Sequence, residues 1–158
     1  MNELFKTLSN LHGSWKGKGS GKFPTIDSFE YEEQLEFEVD SSYPLIHYEQ
    51  RTFLLPTQEP SHWESGFIRI VDGVFIEISN SQDSGRVEIL RGKMLVTSDS
   101  SYELDLSSIS LENDPRLIST RRLIKFTNNS IEYSQFMHTN TTKESKVLPH
   151  LTAVLDRS

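Results

Sequence analysis

Between Phe29 and Val39 the chain reads FEYEEQLEFEV, with Phe29, Tyr31, Leu35, Phe37 and Val39 on one set of alternate positions and Glu30, Glu32, Gln34, Glu36 and Glu38 on the other. A period of two over this length predicts a strand with one face in a core and the other in water. Similar runs recur at about 14–22, 43–55, 62–71, 74–79, 86–97, 102–111, 117–126, 131–139 and 147–156, which makes about ten strands. Turn-forming residues stand between them: Asp72-Gly73, Asp83-Ser84-Gly85, Asn113-Asp114-Pro115 and Asn128-Asn129. Only 2–9 reads as a helix, with Leu4, Phe5 and Leu8 on one stripe.

Short strands with short connections and no helices to cover a parallel sheet predict an antiparallel meander. Ten such strands closed on themselves give an all-β, ten-stranded antiparallel up-and-down β-barrel with a short N-terminal helix, wide enough to hold a small ligand. A chain of 158 residues fits one domain, 1–158. Glu33 is the exception in its strand, a carboxylate on the apolar face. An unpaired buried charge is costly, so the pattern predicts an internal pair with an arginine such as Arg69 or Arg51, ahead of a catalytic carboxylate.

The stretch LHGSWKGKGSGKFPT (11–25) places Gly13, Trp15, Gly17, Gly19 and Gly21 on one face and Ser14, Lys16, Lys18, Ser20 and Lys22 on the other. The glycines match neither a P-loop nor a dinucleotide fingerprint. They predict a barrel strand that curls, with Trp15 plugging an end and the lysines in water.

Charge and composition then narrow the function. A net charge of -7 and a pI near 5.2 offer no basic field for nucleic acid or anionic lipid. With no cysteine, thiol catalysis and thiolate metal sites are excluded, and metal chemistry would run through the five histidines. The N-terminus is neither a signal peptide nor a membrane span, so a cytoplasmic protein without membrane contact is expected.

Four stretches together resemble the nitrobindin family, the fatty-acid-binding-protein-like barrels described as haem-binding peroxynitrite isomerases. Gly13-Ser14-Trp15-Lys16-Gly17-Lys18-Gly19 is similar to its G-x-W-x-G-x-G signature; FPTIDSFEYEEQLEF (23–37), HWESGFIRI (62–70) and LPHLTAVLD (148–156) follow in the family's order. The resemblance implies one haem b per chain, with His150 as the proximal iron ligand and Thr25, His62 and Met137 in the haem pocket. It implies isomerisation of peroxynitrite to nitrate at ferric haem, reversible binding of nitric oxide, and a homodimer through barrel strands. Two loops, about 80–85 and 139–146, look longer than the family's.

Read without the resemblance, His150 is a strand histidine sharing a face with Thr152 and Val154, satisfied by a neighbour. His62 is either a distal haem side chain or an interior hydrogen-bonding partner, and Thr25 contacts haem or caps a turn after Pro24. His12, His47 and His138 carry no spacing signal. Two rival functions remain: a carrier of a fatty acid or other apolar ligand, anchored by an internal Arg69, Arg121 or Tyr48, and a barrel whose edge or mouth serves a protein partner.

Overall fold

A computed structural model describes residues 2–23, 26–140 and 148–158. After α1 (Glu3–Leu8) and a 3-10 turn (Ser9–Leu11) come ten strands: β1 (Gly13–Phe23), β2 (Ile26–Asp40), β3 (Leu45–Leu54), β4 (Pro60–Val71), β5 (Phe75–Gln82), β6 (Val87–Ser98), β7 (Ser101–Glu112), β8 (Leu117–Phe126), β9 (Ser130–Thr139) and β10 (Leu148–Arg157). Each strand pairs antiparallel with the next, and β1 pairs with β10 to close the barrel. This is the expected up-and-down architecture.

Alternating strand directions send the connections to two ends. At one end α1 acts as a stopper. Asn2 caps it, accepting from the Leu4 N–H at 2.8 Å and donating to the Gly73 carbonyl of the β4–β5 hairpin at 3.2 Å. Phe5, Leu8 and Leu11 are buried beneath it. Trp15 donates from Nε1 to the Leu11 carbonyl at 2.9 Å, and the Arg157 guanidinium lies 4.2 Å from its ring while donating to the Asn10 and His12 carbonyls. Trp15 therefore plugs this end, as its place among the glycines predicts.

The glycines of β1 also make room for aromatic rings. Gly19 lies opposite Tyr31 and Gly21 opposite Phe29. A Cβ on Gly19 would sit 2.4 Å from the Tyr31 ring, and one on Gly17 would sit 2.0 Å from the Val154 carbonyl oxygen. The hairpin Asp72-Gly73 has positive φ at both residues, 52° and 74°, the geometry its sequence predicts. The stretch 80–85, expected as loop, is half strand: 80–82 stay in β5, Asn80 lies opposite Glu88, and the Gln82 N–H reaches the Arg86 carbonyl at 2.9 Å. The second such loop lies almost wholly outside the described residues.

Candidate functional site

Alternation drives apolar side chains inward near the stopper and polar ones inward halfway along the barrel. The polar layer has two parts. In the first, Glu33 is 1% exposed and accepts from the Tyr133 hydroxyl and from Gln50 Nε2 at 2.6 Å. Tyr133 in turn meets the Tyr31 hydroxyl at 2.9 Å. Burial pushes the Glu33 carboxyl up to about 7, against the opposing pull of the Tyr133 and Gln50 hydrogen bonds. The expected arginine partner is absent: Arg69 binds Glu77 at 2.6 Å and Arg51 binds Glu49 at 3.3 Å, both on the outer wall. Neutral donors suffice for a carboxyl whose charged form burial disfavours.

The second part centres on Arg122, which is 7% exposed. Its Nη1 and Nη2 donate to the two Glu64 oxygens at 2.9 and 3.2 Å, and Nη2 also donates to Glu88 Oε1 at 2.6 Å. Tyr48 donates to Glu64, Thr120 to Glu88, and Asn80 Nδ2 to Glu88 Oε1 at 3.1 Å. Burial opposes ionisation of Glu64, yet the Arg122 charge outweighs it and holds this carboxyl well below the usual carboxylate range. Sequence reasoning missed Arg122. Its signal was the phase of β8, where Thr120, Arg122 and Phe126 fall on the buried face. Arg121, proposed as an interior anchor, faces outward to Asp105 at 2.8 Å.

His150 lies towards the end away from α1. The register of β10 against β9 shifts between Pro149 and Leu151, a bulge that breaks the period of two. His150 is consequently 6% exposed, while Val154, expected on the same face, is 56% exposed. The bulge turns the imidazole into the barrel, where its ring centroid is 5.0 Å from that of Phe23, itself stacked 6.0 Å from Phe29. The Met137 N–H donates to His150 Nδ1 at 3.2 Å.

Two of the four expected pocket residues, Met137 and His150, are thus brought together. The Met137 sulfur also accepts from Arg86 Nη1 at 3.7 Å. His62 is half-buried and belongs to the polar layer, with Nε2 2.9 Å from Glu64 Oε1 and Nδ1 3.7 Å from Asp83 Oδ1. Thr25 lies outside the described residues. His47 bonds Ser65 at 2.8 Å, and His12 Nδ1 accepts from the Val39 N–H at 3.4 Å.

Residues 5–157 match the family model of the THAP4-like, heme-binding beta-barrel domain. The chain belongs to this haem-binding barrel family. It is 34% identical over 155 residues to peroxynitrite isomerase Rv2717c from Arabidopsis thaliana, covering 95% of this chain and 86% of that protein. It is 33% identical over 131 residues to peroxynitrite isomerase 1 of Rhodococcus jostii, covering 82% and 72% of the two. The crystal structure of Rv2717c from M. tuberculosis superposes with a TM-score of 0.88 at 32% identity, over 98% of this chain and 97% of that one.

Haem binding asks for a buried imidazole beside apolar surface, and His150 against Phe23 meets that description. Among the described residues no three histidine or carboxylate side chains converge on a metal position. The Met137 bond adds a condition: an Nδ1 that accepts a hydrogen bond leaves the proton of neutral imidazole on Nε2. Coordination through Nε2 requires that proton on Nδ1, where it would face the Met137 N–H, so ligation and the Met137 bond exclude each other. No helix among the described residues is long and apolar enough to cross a membrane.

Proposed function

We propose that this protein binds one haem b per chain through His150 and isomerises peroxynitrite to nitrate. The observation that carries this reading is the β10 bulge, which buries a histidine against Phe23 where strict alternation would leave it in water. Family membership and relatives named peroxynitrite isomerase support it. When bound, haem would supply a Lewis-acidic iron able to take an oxyanion or nitric oxide. His150 would hold the iron through a ring nitrogen, with Phe23 against its ring and Met137 alongside. Thr25 and His62 complete the proposed pocket, His62 from the rim of the polar layer.

Of the carrier reading's three anchors, Arg69 and Arg121 are taken by carboxylates on the outer wall, and Tyr48 is interior with its hydroxyl donated to Glu64; Arg122, the interior arginine, is already shared by Glu64 and Glu88.

Titration of the purified chain with ferric haem should produce a saturable Soret band at one equivalent. His150→Ala should lose it, and added imidazole should restore it by filling the vacated axial place. An unchanged spectrum in the variant removes His150 as ligand. Stopped-flow decay of peroxynitrite, with nitrate as product, should exceed that of the same concentration of free haem.

A further inference from the structure

The Met137 sulfur has a neighbour for which haem binding has no use. Arg86, immediately before β6, directs Nη1 at that sulfur from 3.7 Å. A thioether is a weak acceptor, so a guanidinium N–H spent on one is poorly satisfied. Arg86 Nε is buried without a hydrogen-bond partner, and only Nη2 has a strong one, Asp114 Oδ2 at 2.7 Å.

The arginine is held in this position. Asp114 fixes Nη2 and also meets Arg116 Nε at 3.5 Å, while Asn113 Nδ2 donates to the Gly85 carbonyl at 2.9 Å and ties the β5–β6 turn to the β7–β8 turn. Met137 is fixed in β9, where its backbone lies opposite Thr120 of β8. Two anchored segments thus present a cation to a half-buried sulfur. Met94 on β6 offers a contrast. It is half-buried too and packs against the core, but among the described residues only the Met137 sulfur accepts a hydrogen bond.

Thioether sulfur is a target of two-electron oxidants. A sulfur lone pair attacks the terminal oxygen of a peroxide, the S–O bond forms and the O–O bond breaks. Peroxynitrite anion leaves as nitrite; hydrogen peroxide leaves as water, the proton on the transferred oxygen passing to the departing one. Sulfur loses two electrons, the O–O bond takes them up, and no further reactant is needed. Negative charge grows on the oxygens as this happens, and a fixed guanidinium beside the sulfur stabilises it. The bond to Nη1 occupies one sulfur lone pair and leaves the other for attack. The sulfoxide oxygen is a much stronger acceptor than sulfur, and it is joined to the atom at which Nη1 already points.

We propose that Met137 is a site of reversible oxidation to the sulfoxide by a peroxide-class oxidant, and that Arg86 directs the oxygen to it. Peroxynitrite as the natural oxidant rests on the activity proposed above; the oxidation itself needs no haem. It makes polar the side chain of the residue whose N–H holds His150, and methionine sulfoxide reductases reverse it.

The test treats the purified full chain, without haem, with hydrogen peroxide and measures sulfoxide by mass spectrometry at Met137 and Met94, which fall on different tryptic peptides. In the folded chain Met137 should oxidise roughly tenfold faster than Met94, the factor that one hydrogen bond to a charged group supplies, and in urea the two rates should converge. Arg86→Gln should remove most of the preference, and Arg86→Lys, which keeps the charge, should restore part of it. Should neither variant fold, the arginine side-chain nitrogens of the unaltered chain decide by NMR: oxidation should shift the Arg86 Nη signal, and methionine sulfoxide reductase should return it. Oxidation of Met137 no faster than that of Met94 overturns the site. A preference that persists in Arg86→Gln, or an Arg86 signal indifferent to oxidation, overturns the part played by Arg86. These outcomes are read without haem, so they stand apart from the success or failure of the haem and isomerase tests. Oxidation of Met137 by hydrogen peroxide but not by added peroxynitrite would overturn the link to that activity alone.

Discussion

Glu33 and Glu64 are both buried carboxyls, and their surroundings push them in opposite directions. Glu33, satisfied by neutral donors, is raised from 4.5 to about 7. Between those values the unfolded chain has released its proton while the folded chain retains it, so folding is favoured below about 4.5 and that advantage is lost as pH rises to about 7. The span corresponds to about 3 kcal/mol. Urea unfolding from pH 4 to 8 should show a falling component of this sign that Glu33→Gln removes; an unaltered slope in the variant would show that Glu33 ionises normally. Glu64 contributes oppositely, its lowered value stabilising the fold at neutral pH and fading as acid protonates it. At His150 the exclusion between ligation and the Met137 bond gives a sharper test. On haem addition to the diamagnetic ferrous carbonyl form, the Met137 amide should lose protection from exchange, whereas its neighbours in β9 should not. A motif in the sequence pointed to His150, which the fold buries against Phe23. Partner choice was not legible, since Glu33 takes Tyr133 from one hundred positions away and no local pattern encodes that contact.

Strands were legible because period two survives any tertiary context that keeps one face wet. The helix was equally readable, from the stripe of Leu4, Phe5 and Leu8. What alternation cannot reveal is an inserted residue. The bulge at 149–151 leaves the sequence of β10 looking regular while it reverses the side on which His150 lies. The length of β5 was misread for a related reason: Asn80 and Gln82 look like loop residues, yet they face inward, Gln82 Nε2 bonding Asn80 Oδ1 at 3.1 Å and Asn80 bonding Glu88. The element most open to test is β1. A methyl group on Gly19 would meet the Tyr31 ring, whose hydroxyl holds Tyr133 and through it Glu33. Gly19→Ala should cost about 1–3 kcal/mol in thermal or urea unfolding, the usual range for overpacking. It should also perturb the Tyr133 ring resonances. Gly85→Ala gives the contrast, because a Cβ there meets nothing within 4 Å and only its φ of 92° resists the change.

At the scale of the whole barrel, the interior side chains tie together strands that are not neighbours. Arg122 on β8 reaches Glu64 on β4 and Glu88 on β6, and Tyr133 on β9 reaches Glu33 on β2. Hydrogen bonds in the wall join each strand only to the next, so these cross-links help to fix the cross-section. The arrangement is costly if broken from one side. Arg122→Met would leave Glu64 and Glu88 buried without their shared cation, and removing one partner of a buried ionic group typically costs about 3–5 kcal/mol. Replacing all three together, as Arg122→Met with Glu64→Gln and Glu88→Gln, removes the stranded charges along with the bridge and should recover much of that loss. Urea unfolding of the four proteins, namely the unaltered chain, the single variant, the paired Glu→Gln variant and the triple variant, measures the coupling directly. A single-variant loss below about 1 kcal/mol, in the range of an exposed salt bridge, would mean that water reaches these groups and that the layer does not divide the interior. A large single loss recovered in the triple variant would place the cross-link where the distances put it, inside a dry barrel.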